Sequence, residues 1–282
     1  MLDRDAPVTL IAQLSDLHVV TSDTDAELHV DNVARVRAVV SSVVREDAPV
    51  DAVVITGDLV NDEHPREYEV LAELLAPIDA PVLVVPGNHD SRDLVREAFP
   101  TLAWVDADHA SWVAEVAGVR VVGLDSTRPG HPGAELDDER ARWLETVLAV
   151  GFDGPTVIAM HHPPFATGIG WMDDSGFVGR ELFVEVLATS SVDRILCGHV
   201  HRPISSSVAG VVAQVGLSPV QHVALDLRPG APVSLVRDPV GYQVLRFATG
   251  ERGGEIVVHT RYVDTVERPF RPRWADSVAP PS

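Results

Sequence analysis

The sequence predicts an α/β domain built on a largely parallel sheet, and three observations carry that reading. Short Val/Ile/Leu-rich runs bounded by turn residues recur along most of the chain, and segments of helical period fall between them. The third is size: 282 residues with 45% hydrophobic content suffice for one large core, alone or with a small appendage. Apolar runs without polar alternation are the mark of strands buried on both faces. Strand, helix, strand order then brings right-handed crossovers and helices that cover the sheet.

The elements follow in order. Thr9 to Leu14 reads as the opening strand, and Val30 to Arg45 ("VDNVARVRAVVSSVVR") repeats its valines at helical spacing. Ala52 to Thr56 is a strand, Glu67 to Leu75 a helix, and Val82 to Val85 and Val119 to Asp125 are strands. Asp137 to Val150 is a helix with acids in its first turn, where the helix dipole favours negative charge. Thr156 to His161 and Arg194 to Cys197 complete the set of buried strands. After about Ser205 the texture changes. Val208 to Val215 reads as one strand, and Tyr242 to Thr249 and Glu255 to Val263 read as a β-hairpin joined by "GERGGE". Leu227 to Pro239 is a loop or small cap, and the proline-rich tail from Pro269 is expected to be poorly ordered.

Charge narrows the partners. The formal net charge is −20 and all 22 basic residues are arginines, a balance that speaks against nucleic acid, anionic membranes and long polyanions. A small phosphorylated substrate stays open, because bound divalent cations reverse the local field in a cleft. With Cys197 as the single cysteine, no intrachain disulfide can form and nothing points to an oxidising compartment. The start "MLDRDAPVTLIAQLSDLHVV" lacks a basic n-region and no run reaches the roughly 20 apolar residues of a membrane span, so a soluble cytoplasmic protein is expected.

The chemistry gathers where the strands end. Asp16-Leu17-His18 follows the first strand, Gly57-Asp58 the second and Asn88-His89-Asp90 the third. His161-His162-Pro163-Pro164 and Gly198-His199-Val200-His201 follow the last two. Alone, an Asp-x-His or an Asn-His-Asp is a weak pattern that a hydrogen-bonded turn explains as well. Five such blocks at the C-terminal ends of five strands make one site, because ligands bind at that edge of α/β sheets. The candidate ligands are Asp16, His18, Asp58, Asn88, His161, His199 and His201. Seven are too many for one tetrahedral ion, so two divalent ions sharing a carboxylate is the economical reading, with Asp58 as the natural bridge.

In this order, Asp-x-His, Gly-Asp, Gly-Asn-His-Asp, His-x-Pro and Gly-His-x-His resemble the calcineurin-like metallophosphoesterase superfamily over about residues 9 to 225. The flanks "VVPGNHDSRDLVREAFP", "AMHHPPF", "CGHVHRP" and "SPVQHVALDLRPGAP" resemble its bacterial class III cyclic nucleotide phosphodiesterases and glycerophosphodiesterases. The resemblance implies a four-layer αββα sandwich over residues 1–225. It also implies a C-terminal β-rich cap or oligomer-forming element over 226–268, and dimers or larger assemblies. It places Asp16, His18 and His201 on one metal, Asn88, His161 and His199 on the other, and Asp58 between them. His161 rather than His162 fits the His-x-Pro pattern, and adjacent strand residues face opposite ways. Asp90 after Asn-His, and the lack of an arginine in "GDLVNDEH", depart from the protein serine/threonine phosphatases.

The activity implied is hydrolysis of small phosphodiesters, cyclic nucleotides first and glycerophosphodiesters second, with Mn, Fe, Zn or Co as the ions. A bridging water of lowered pKa would be the nucleophile. A phosphomonoesterase or nucleotide pyrophosphatase of the same superfamily, or an inactive interaction module, are the alternatives. Asn88 would be a neutral ligand, His89 a phosphate-facing stabiliser or proton donor, and Asp90 either the group that orients His89 or a helix N-cap. His222 would stand near the substrate, and Arg92 is either a phosphate contact or a solvated helix-start residue. His64, His109, His131 and His259 fall outside the strand-end pattern and are expected to be structural.

Overall fold

Apolar runs become buried strands and amphipathic runs become covering helices throughout the computed structural model, which describes residues 8–21, 31–105, 108–248 and 254–263. The chain forms β1 (Val8–Leu14), α1 (Asn32–Val44), β2 (Ala52–Thr56), α2 (Pro65–Leu75), β3 (Val82–Val85), α3 (Arg92–Ala98), β4 (Trp112–Val116) and β5 (Val119–Gly123). Then come β6 (Thr127–Arg128), β7 (His131–Glu135), α4 (Asp138–Ala149), β8 (Thr156–Ala159), α5 (Gly170–Asp173), β9 (Phe177–Val178), α6 (Arg180–Ala188) and β10 (Arg194–Cys197). It closes with β11 (Ile204–Val208), β12 (Val211–Val215), β13 (His222–Val223), β14 (Leu235–Val236), β15 (Gly241–Ala248) and β16 (Ile256–Tyr262).

Two large sheets result, one of five strands in the order β16-β15-β1-β2-β3 and one of six in the order β11-β12-β10-β8-β5-β4. Their centres are parallel, β1-β2-β3 in the first and β5-β8-β10-β12 in the second. The edges β15, β16, β4 and β11 run antiparallel. Alternation along the second sheet shows the layering. Val119, Val121, Val157, Ala159 and Leu196 share a buried cluster with the first sheet, whereas Val122, Ile158, Ile195 and Cys197 pack with Leu144 of α4 and Phe183 of α6. On α1, Val36, Val39, Val40 and Val43 make the apolar stripe that closes over the first sheet. The result is the four-layer sandwich, helices outside and sheets face to face.

Two expectations need correction. The run Val208 to Val215 is not one strand: it holds the last residue of β11, a two-residue turn and β12, because Ala209 (φ 49°) and Gly210 (φ 85°) both take left-handed backbone and close the 204–215 hairpin. The C-terminal hairpin, expected to sit on the core as an appended element, instead continues the first sheet. β15 pairs with β1 from Val8↔Ala248 to Gln13↔Gln243, and Tyr242, Leu245 and Phe247 are fully buried. The period-2 burial of Gln243, Leu245 and Phe247 supplies an inward face that only a neighbouring strand and the opposite sheet can cover. Part of "GERGGE" and the tail from Pro269 lie outside the described residues. Leu245→Ala is therefore expected to lower unfolding stability by about 2–5 kcal/mol, as for a core leucine, when measured by urea denaturation with chelator present. No helix of the described residues is long and apolar enough to cross a membrane.

Candidate metal centre

Beyond Leu14 the pairing of β1 with β2 continues: the Asp16 N–H donates to Gly57 O and the His18 N–H to Asp58 O, both at 3.0 Å. What changes is the hand of the backbone. Asp16 (φ 52°), His18 (41°), Asp58 (50°), His199 (72°) and His201 (59°) all lie in the left-handed region, which costs each about 1 kcal/mol or more. These five residues, which follow strands of both large sheets, are all candidate ligands. Two glycines let the strand ends close in. A Cβ on Gly87 would stand 2.2 Å from Asp58 Oδ1, and one on Gly198 would stand 2.3 Å from Ser15 Oγ and 2.4 Å from Thr56 O.

Two groups of ligand atoms result, Asp16, His18, Asp58 and His201 in one and His161, His162 and His199 in the other, each within 4.8 Å. Asn88 adjoins the second, its Oδ1 3.1 Å from His161 Nε2. Asp58 stands between them, its Oδ2 3.4 Å from His18 Nε2 and 3.3 Å from His161 Nε2. Asp16, His18, Asp58 and Asn88 follow strands of the first sheet, and the remaining histidines follow strands of the second. The five strand ends thus lie at the edges of two facing sheets rather than of one.

The hydrogen bonds behind the ligands fix where their lone pairs point. His18 Nδ1–H donates to Asn61 Oδ1 (3.2 Å), His201 Nδ1–H to Gln221 O (2.7 Å) and His161 Nδ1–H to Thr56 O (2.8 Å). Asn61 Oδ1 is the acceptor there because its Nδ2 donates to Asp62 Oδ1. With Nδ1 donating to the protein, it is Nε2 of each ring that is aimed into the cluster. There His18 Nε2 faces His201 Nε2 at 3.0 Å, and His161 Nε2 faces only carboxylate and amide oxygens. Asp16 Oδ2 is buried with no hydrogen-bond partner, while its Oδ1 accepts the His199 N–H at 2.7 Å. Converging lone pairs and an orphaned carboxylate oxygen are what a divalent cation requires, so these residues fit a metal.

The electrostatics agree. Burial pushes His18 well below the usual histidine range, and burial with the neighbouring His161 pushes His199 down to about 3, so both rings are neutral donors of lone pairs. Burial alone would raise the Asp58 carboxyl, but His161, His18 and His89 hold it well below the usual carboxylate range. His161 is raised to about 9, the Asp58 charge overcoming burial, and a field that favours a proton there favours any cation. Burial raises Asp16.

His162 differs from His161. Its Nδ1 meets Ser126 Oγ at 2.9 Å and its Nε2–H donates to Pro132 O at 3.1 Å, so both ring nitrogens have protein partners although it lies within the second group. His89 stands edge-on to His18, ring centroids 4.8 Å apart, with its N–H donating to Asp58 Oδ1. Its Nδ1–H donates to Asn61 O at 2.9 Å, not to Asp90. Asp90 neither orients His89 nor caps α3. Its carboxylate accepts the N–H groups of Gly87, Leu59 and Val60 and the Tyr68 hydroxyl, locking the turn after β3 onto the turn after β2. The N-cap position of α3 belongs to Ser91.

Asn61 is the residue that strand-end reasoning misses. Its side chain holds His18 and its main chain holds His89, and the only signal was a polar residue three places after Asp58 in "GDLVN". His222 is buried with Nε2–H donating to Ser218 O, next to Gln221, whose carbonyl holds His201. Arg92 takes neither expected role: its Nε pairs with buried Asp125 at 2.6 Å and its Nη2 donates to Thr127 O, tying α3 to the loop after β5. His64 caps α2, His109 meets Ser111, His131 accepts the Gly133 N–H and His259 is exposed on β16.

The profile of Metallophos, the calcineurin-like phosphoesterases, matches residues 9–203. The chain is 31% identical over 264 residues to the "Probable glycerophosphodiester phosphodiesterase GpdQ" of Arcobacter nitrofigilis, covering 93% of this chain and 96% of that protein. It is 35% identical over 235 residues to the "Probable cyclic nucleotide phosphodiesterase" of Rhodococcus erythropolis, covering 79% and 75%. The purple acid phosphatase PPD1 from yellow lupin seeds superposes with a TM-score of 0.65 over 93% of this chain and 53% of that one, at 13% identity, a likeness of fold.

Proposed function

Because the chain belongs to the calcineurin-like phosphoesterase family, we propose that it is a phosphodiesterase dependent on two divalent metal ions, acting on small diesters, 3′,5′-cyclic nucleotides ahead of glycerophosphodiesters. The observation that carries the reading is the convergence of the His18, His161 and His201 Nε2 atoms and the unpartnered Asp16 oxygen on Asp58. Asp16, His18 and His201 would hold one ion, Asn88, His161 and His199 the other, with Asp58 shared. Bound there, the ions would supply Lewis acidity toward the phosphoryl oxygens and a water acidic enough to react near neutral pH.

The protein's own groups complete the site. Asn88 adds a ligand without charge, which keeps the cluster positive toward an anionic diester. His89, held through Nδ1–H by Asn61 O and packed against His18, would protonate or stabilise the leaving oxygen through Nε2. Asp90 and Tyr68 fix the turn that carries both. Both relatives named above act on phosphodiesters by their names, which favours diesters over monoesters.

Protein reconstituted with Mn²⁺ should hold close to two ions per chain by elemental analysis. It should hydrolyse bis(p-nitrophenyl) phosphate at least about tenfold faster than p-nitrophenyl phosphate, and lose that activity on chelation. Preference for the monoester, or hydrolysis that survives complete metal removal, would overturn the reading.

A further inference from the structure

Beside the metal centre, and sharing His162 and His199 with it, lies a cavity of about 360 Å³ walled by Phe165, Met172 and Phe177, with Arg180 on its lining. Ligand pockets begin at about 300 Å³ and combine apolar walls with a few placed polar groups. The walls here are already set. The Phe177 ring lies against that of buried Phe183, centroids 6.4 Å apart, and Phe165 and Met172 are each only 9% exposed.

The loop that carries these walls is closed on itself: the Asp173 carboxylate accepts the Thr167 N–H, the Thr167 hydroxyl and the Gly168 N–H. Asp173, the one carboxylate among the described residues that line the cavity, is thereby matched to donors of its own loop. Arg180 is different. Its Nε donates to Pro164 O at 2.8 Å, which anchors the guanidinium, and no carboxylate of the described residues pairs with it. A second hollow of about 330 Å³, on the Asn88 side, has the opposite character. Glu63, Asp90 and Asp93 line it, and its arginine, Arg92, is already paired with Asp125.

We infer that the cavity between Phe165 and Phe177 takes the nucleobase of a nucleotide diester, the base lying against the aromatic walls and Arg180 donating to an acceptor on its edge. A base has two apolar faces and an edge of ring nitrogens and carbonyls. Aromatic walls with one anchored guanidinium match both features. A glycerol-sized polyol would leave the phenylalanines unfilled. The assignment rests on the phosphodiesterase reading and narrows its substrate to the nucleotide class.

The test uses the Mn²⁺-reconstituted full chain, its Phe177→Ala and Arg180→Ala variants, and two diesters, 3′,5′-cyclic AMP and glycerophosphoethanolamine. In either variant the ratio of kcat/KM for the cyclic nucleotide to that for the glycerol diester should fall by roughly 5- to 100-fold, chiefly through KM. Calorimetric binding of adenosine, which carries no phosphate, should weaken in parallel. A ratio unchanged in both variants, with adenosine binding equally to all three proteins or to none, overturns the cavity assignment and leaves the phosphodiesterase reading standing. A wild-type protein that binds adenosine but hydrolyses neither diester overturns that reading and leaves the binding site.

Discussion

Asp58→Asn is expected to cost the protein most of its metal at both positions and to lower kcat/KM for bis(p-nitrophenyl) phosphate by about 10³-fold or more. The amide keeps the size and shape of the carboxylate, so the backbone of the turn stays as it is. If its oxygen keeps the His89 N–H, its NH₂ falls at the Oδ2 position, facing His18 Nε2 and His161 Nε2. Two donor hydrogens would then stand where the cations are proposed to be held, and both lone pairs would be occupied. Stability of the metal-free protein at neutral pH should fall, because the neighbouring histidines hold the Asp58 carboxyl well below the usual carboxylate range and the amide gives up that pairing with His161. Elemental analysis together with thermal melting in chelator decides the matter. A variant that retains two ions and most of its activity would show that Asp58 is not shared between them. A variant with no cooperative melting transition would show instead that Asp58 is needed for the fold.

His89→Ala should leave metal content intact and lower kcat about 10²- to 10⁴-fold, the range for losing a positioned acid or base. The loss should depend on the leaving group. A ribose alkoxide needs a proton as it departs and p-nitrophenolate does not, so cyclic AMP turnover should fall at least about tenfold further than that of bis(p-nitrophenyl) phosphate. Equal losses on both substrates would make His89 a stabiliser of phosphoryl charge, and lost metal would make it a ligand. The geometry favours the donor role. The Asn61 carbonyl fixes Nδ1–H, and the ring packs edge-on to His18, so the orientation exists before substrate arrives.

The strand ends that carry the candidate ligands were legible because each lies directly after an apolar run, and local order is what a sequence displays most plainly. Which runs share a sheet was not. Val53 and Val157 look alike in the chain, and only packing assigns one to the first sheet and the other to the second. Asp90 was misjudged for a similar reason. Three of its four partners, the Leu59 and Val60 N–H groups and the Tyr68 hydroxyl, are more than 20 positions away and leave no periodic trace. The 204–215 hairpin was obscured because alanine occupies one of two left-handed turn positions where asparagine or glycine would have announced it. Trp112–Val116 escaped notice as a strand because its mixed sequence, WVAEV, suits an antiparallel edge, and that sheet's interior runs are uniformly apolar.

Each proposed coordination shell draws side chains from both halves of the sandwich, His201 joining residues that follow β1 and β2, and Asn88 joining residues that follow β8 and β10. A cation seated there works as a rivet through the stacked layers, so unfolding must eject it. Occupancy then enters the folding equilibrium by mass action, adding about 2.7 kcal/mol for each site at free metal a hundredfold above its dissociation constant. Starvation for metal would thus shorten the life of the protein as well as silence it, and the amount found in a cell would report on the ions available there.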